Sequence, residues 1–206
     1  MKWNEFIGNK KHRIEFFVTI ILLAVTLFLL THFLDYVESR QGMVLPDPVL
    51  SLFNPINLTW LIFGLIYCSL IIAIFLLAKN PDRLMFAIQV YILFIYVRIA
   101  AMFLVPFNPP NYMIQLNDPF VQFFGTGKLL TKDLFFSGHT ATLFILFLVT
   151  QNKFFKYFFL LATIIVGSAL LLQHVHYSID VFAAPFFTYV CYRLVYIYNL
   201  KRKRIF

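Results

Sequence analysis

KDLFFSGHTATLFILFLV, from Lys132 to Val149, passes from a charged pair through Ser137-Gly138-His139-Thr140 into an unbroken apolar run. Runs of this kind recur along all 206 residues, which are 61% hydrophobic and only 13% charged, with 27 phenylalanines. Mean hydropathy is +0.82. A soluble domain carries about 25% charged residues, so the composition is that of a membrane protein. The net charge of +8 lies in short tracts beside the apolar runs. That placement suits anionic headgroups and topology signals rather than nucleic acid.

Crossing a ~30 Å hydrocarbon core takes about 20 apolar residues. Six segments qualify: Ile14–Leu34, Leu58–Ala78, Leu84–Val105, Phe135–Val149, Phe154–Gln173 and Tyr177–Tyr198. The fourth reaches full length only if Leu134 to Phe136 also lie at membrane depth. The first is too long for a signal-peptide core, and no small-residue cleavage site follows it. The expectation is an all-α bundle of six transmembrane helices in one polytopic domain over 1–206, with a catalytic core at about 84–198. With the N-terminus inside, twelve Lys/Arg flank the inner ends and three the outer, so both termini are expected in the cytoplasm. Short loops and this charge bias suit a bacterial inner membrane. Two outer loops are long, Asp35–Asn57 and Pro106–Asp133, and long loops serve as lids or binding elements. In the second, Tyr112, Phe120, Phe123 and Phe124 suit either an interfacial anchor or a substrate lid. Cys68 and Cys191 sit in separate apolar segments, where packing is a better role than a disulfide.

Ionisable groups inside spans cost several kcal/mol and need a reason. Arg98, His139, His176 and Asp180 stand out, and the expected topology brings all four toward the outer leaflet. His176 and Asp180, four residues apart, share a helix face, so the carboxylate can accept one imidazole N–H and leave the other nitrogen free. The same spacing also fits a structural ion pair. Ser137 is a good N-cap, and the helix start that follows offers unsatisfied N–H groups, with Gly138 permitting close approach and Thr140 in the first turn. Such a start is an anion site suited to phosphate, with His139 placed to donate a proton. Arg98 would grip phosphate oxygens bidentately, or else pair with Asp180 or a backbone carbonyl. Asp133 suits either a contact to an ammonium headgroup or a solvated loop position, and Tyr177 is a further candidate contact. A metal reading, with His174, His176, Asp180 and His139 as ligands, is weakened because His174 and His176 face different sides of any shared helix. A lipid transporter is the non-enzymatic alternative, but no internal repeat is evident.

DLFFSGHT (Asp133 to Thr140) and HYSIDV (His176 to Val181) resemble the paired motifs of the sphingomyelin synthase-related branch of the type-2 phosphatidic acid phosphatase superfamily. The resemblance implies six membrane helices, a non-cytoplasmic active site, and no metal or cofactor. His139, His176 and Asp180 match the family's catalytic triad, while Arg98, two residues after Tyr96, matches its third motif loosely. Thr131-Lys132 stands where sphingomyelin synthases have Cys-Gly, and Leu170 stands where the phosphatases have an arginine. The implied activity is transfer of a phosphoalcohol headgroup from a phospholipid to a lipid hydroxyl, of ceramide or diacylglycerol type, through a phosphohistidine. The alternative is a lipid phosphate phosphatase with water as acceptor.

Overall fold

A computed structural model of the chain describes residues 3–117 and 130–201. The described residues form seven α-helices: α1 (Trp3–Gly8), α2 (Lys10–Ser39), α3 (Thr59–Leu77), α4 (Pro81–Leu104), α5 (Gly138–Val149), α6 (Lys153–Leu172) and α7 (Ser178–Lys201). No strand occurs among them, only an isolated parallel bridge between Met43 and Phe107. Five helices, α2, α3, α4, α6 and α7, are long and apolar enough to cross a membrane.

The sixth expected span, Phe135–Val149, differs. Its helix starts at Gly138 and has 12 residues, or about 18 Å at 1.5 Å per residue. Leu134 and Phe136 are buried without joining it, because Ser137 caps the helix at that point: its Oγ accepts from the Thr140 N–H at 3.4 Å. The first long loop also begins later than expected. Asp35–Ser39 continues α2, with Val37 buried. Of the loop aromatics, Tyr112 is exposed, whereas Phe120, Phe123 and Phe124 lie outside the described residues.

The short α5 is the centre of the bundle. Ala141, Ile145 and Val149, at four-residue spacing, face a core shared with Val90, Phe94 and Ile95 of α4 and Ala184, Cys191 and Val195 of α7. Leu143 and Leu146 face a second core with Ile62 and Ile66 of α3 and Phe159, Ala162 and Val166 of α6. A helix apolar on every side belongs inside a bundle. Where α6 meets α7 the fit is close: a Cβ on Gly167 would lie 3.0 Å from Val181 Cγ1. The long α2 packs on α4 and leaves Phe17, Ile21 and Phe28 exposed, as a lipid-facing helix does. Cys191 is buried as expected, but Cys68 faces outward, and both are free thiols.

From α2 onward successive helices alternate in direction. One end of the bundle gathers the C-termini of α2, α4 and α6 with the N-termini of α3, α5 and α7. Contacts show this directly: Arg40 donates to the carbonyls of Met102 and Phe103, Ile56 N–H donates to the Leu172 carbonyl, and Ser137 N–H donates to the Asp180 carbonyl at 3.1 Å.

Candidate active site

At this end the two motifs meet. The Ser137 to Asp180 backbone hydrogen bond ties the start of α5 to the first turn of α7, and the His139 and His176 ring centroids lie 6.4 Å apart. The expected contact is present, with His176 Nδ1 3.3 Å from Asp180 Oδ2, but His176 precedes α7 rather than sharing a helix face with Asp180, because the helix starts only at Ser178. That oxygen also accepts the Tyr177 N–H at 3.0 Å. Both side chains are essentially fully buried. With Nδ1 turned to the carboxylate, Nε2 is the nitrogen left for chemistry. The His139 ring meets that of Phe63 in a T-shaped contact, 6.0 Å between centroids.

Arg98 enters from α4, 5% exposed. Its Nε donates to the Phe136 carbonyl at 2.9 Å, and its Nη2 pairs with Asp133 at 2.5 Å. Of the two partners considered from the sequence, the backbone carbonyl is present, and the acid is Asp133 rather than Asp180. A buried guanidinium without such partners would be costly. The geometry also revises the role of Gly138. A Cβ there would sit 2.9 Å from the Arg98 Cζ, so the glycine makes room for the arginine itself. Two of its five N–H donors have these partners, and among the described residues the rest of the guanidinium lies beside the start of α5.

The two candidate headgroup contacts each have partners within the chain. Asp133 holds Arg98. Tyr177, 1% exposed, donates its hydroxyl proton to the Asn108 carbonyl at 2.9 Å and accepts from the Leu45 N–H at 3.1 Å. His174 does not join His176. Its Nδ1 faces the Asn111 carbonyl at 3.3 Å, its ring packs on Phe53, and its φ of 57° turns the chain away from the helix. Among the described residues no three His, Cys, Asp or Glu side chains gather as a metal site.

Arg98, Asp133, Gly138 and His139 form the polar end of a cavity of about 560 Å³. From there it runs between α3 and α4, past Phe63, Leu70 and Ile74 on one wall and Tyr91, Ile88 and Leu84 on the other. The positions on each wall repeat at helical spacing over about 14 residues, or some 20 Å. An apolar furrow with a cation and an imidazole at one end fits an amphiphile with an anionic head.

Two supports were not singled out from the sequence. Asp47, in the first long loop, accepts from the Ser178 N–H at 2.6 Å and the Ser178 hydroxyl at 2.8 Å, and from the Val49 N–H at 2.9 Å. Burial alone would raise its carboxyl, but these hydrogen bonds outweigh it and hold the group below its ordinary value. Gln173, fully buried, accepts from the Leu58 N–H and donates to Thr59 and the Ile114 carbonyl. Both sit in loops whose partners lie about 60 to 130 residues away, a distance that no local pattern signals. The only sequence hint is a lone acid between prolines, in LPDPV.

Residues 132–198 match the family model described as PAP2 superfamily C-terminal. The match covers about a third of the chain and includes Asp133, Ser137, His139, His176 and Asp180. It supports the type-2 phosphatidic acid phosphatase superfamily without selecting a branch of it. No curated protein matches the chain.

Proposed function

We propose that this protein, a lipid phosphatase or phosphotransferase by that match, transfers a phosphoalcohol headgroup from a phospholipid to a lipid hydroxyl. The observation that carries the proposal is the pair of imidazoles 6.4 Å apart, beside an arginine packed on the first residue of α5. A single phosphoryl group bridges such a gap.

The phospholipid enters sideways, its chain in the furrow between α3 and α4. Its phosphate meets Arg98 and the N–H groups at the start of α5, with Ser137, Gly138 and Thr140 shaping that turn. His176, oriented by Asp180, attacks phosphorus through Nε2. The bond from phosphorus to the diacylglycerol oxygen breaks, and His139 protonates that oxygen. The headgroup phosphate is now on His176. His139, left as a base, takes the proton of the acceptor hydroxyl. The acceptor oxygen then attacks phosphorus and the P–N bond breaks. Arg98 and the helix start stabilise charge on the phosphoryl oxygens throughout.

Ceramide or diacylglycerol is the acceptor class proposed, as in sphingomyelin synthase-like enzymes. The apolar furrow beside His139 favours it, since such walls hold a lipid chain and offer water few hydrogen bonds. The second reading, hydrolysis, uses the same residues with water. We place the site on the extracytoplasmic side of a bacterial inner membrane with both termini inside, on the charge bias of the loops. The sixth crossing is then made by α5 together with residues 134–137.

Liposomes of phosphatidylethanolamine and ceramide, beside a phosphatidic acid control, test the reading. Labelled headgroup on ceramide is the expected result; free phosphate from phosphatidic acid alone means hydrolysis. Inertness on both lipids would sink the proposal.

A further inference from the structure

Arg98 is held by an acid that belongs to a loop, so something must hold the loop. We propose that Glu38, at the end of α2, is that residue: it positions Asp133, and through it Arg98, for phosphate capture. The inference rests on Arg98 being the phosphate-binding residue of the reaction proposed above.

Glu38 is 93 residues from its partners in sequence. Its Oε2 accepts the backbone N–H groups of Thr131 at 2.9 Å and Lys132 at 3.0 Å, and its Oε1 accepts the Thr131 hydroxyl at 2.5 Å. One carboxylate thus closes on two successive N–H groups and a hydroxyl immediately before Asp133. A second tie comes from Lys132, whose Nζ donates to the Arg40 carbonyl at 2.6 Å. Arg40 in turn caps the last carbonyls of α4, those of Met102 and Phe103. The tips of α2 and α4 and the 131–133 segment are therefore one hydrogen-bonded knot. From it Asp133 reaches Arg98, and Arg98 lies against Gly138.

One carboxylate oxygen accepts the two backbone N–H groups and the other accepts the Thr131 hydroxyl. A glutamine at 38 keeps the pattern, its Oε1 accepting the N–H groups and its N–H₂ donating to the hydroxyl, whereas an alanine removes all three contacts and an aspartate falls a methylene short. Glu38 does not line the cavity, so it acts on the reaction only through what it holds. Misplacing a positioning group by about 1 Å can cost as much as a hundredfold in rate.

The test uses the full chain in liposomes and compares Glu38→Ala, Asp133→Asn and the double variant by kcat/KM, with thermal stability measured alongside. Glu38→Ala is expected to lower kcat/KM about tenfold with the fold intact, and the double variant to be no worse than Asp133→Asn alone. Multiplying losses would mean that Glu38 does not act through Asp133, and would overturn the inference; so would normal turnover in Glu38→Ala. If Glu38→Ala does not fold, Thr131→Val removes one of the three contacts and carries the same cycle, with a two- to threefold loss expected. His176→Ala runs beside it. Turnover by that variant would overturn the phosphohistidine reading, while the cycle would still decide on Glu38.

Discussion

The two ends of the bundle are built differently. At one end the helices turn around in a few residues: Ala78–Asn80 between α3 and α4, Thr150–Asn152 between α5 and α6. Each return is closed by an asparagine whose side chain accepts N–H groups of the next helix, from Asp82 and Arg83 at Asn80 and from Phe155 at Asn152. Pro81 adds a preset first turn. At the other end long loops fold inward, and Glu38, Asp47, Gln173 and Asp133 each bind partners far away in sequence. The first end closes its returns by local capping and adds two long-range ties, from Trp3 Nε1 to the Ala78 carbonyl and from Asn199 to Gln89. The second must hold an arginine, two histidines and an aspartate within apolar surroundings, where every unmatched polar group is costly. Long-range hydrogen bonds are the means by which it does so.

That contrast is open to test. The largest effect is expected at the imidazole pair: His176→Ala or His139→Ala should lower turnover by about 10³ or more, as loss of a nucleophile or general acid does, while the protein still folds. Arg98→Ala should follow at about 10²-fold in kcat/KM, the scale of losing one preorganised charge stabiliser. Liposome assays with size-exclusion profiles separate these losses from misfolding. Gly138→Ala drives a methyl against the Arg98 guanidinium, 2.9 Å away, and should cost about tenfold in kcat/KM, with a stability loss of about 1–3 kcal/mol for overpacking.

Asp47 is the fourth test. Its carboxyl is held below its ordinary value of 3.8, so the ionised form is the one that stabilises the fold. That contribution is full above the ordinary value and is lost as pH falls through the lower, folded one. The thermal stability of the wild type should therefore fall more steeply in acid than that of Asp47→Asn, and the two curves should converge at the lowest pH. The smallest effect on activity belongs to the opposite end. Asn152→Ala should cost about 1 kcal/mol of stability, as loss of a cap does, and leave kcat/KM unchanged. An activity loss there would mean that the two ends are coupled and the contrast is false.

The legible parts of the fold were those written in short-range order. Thr59–Leu77, Pro81–Leu104, Lys153–Leu172 and Ser178–Lys201 appear within a few residues of the runs read from hydropathy. The Ser137 cap and the contact of His176 with Asp180 follow from spacing of three and four residues. The expected span Phe135–Val149 exceeds the helix, which starts at Gly138, because Leu134 and Phe136 are apolar for packing rather than for helix formation. Phe136 stacks on Phe187 at 4.8 Å.

By itself the sequence determined which segments are apolar helices, and that a capped histidine and a histidine–aspartate pair stand at helix starts. Both follow from the chain's own periodicity. Only the tertiary structure decided what Arg98 rests on, why residue 138 is glycine, and which acids hold the loops. Those answers join residues 35 to 131 positions apart, and a contact of that range exists only once the helices have packed around α5.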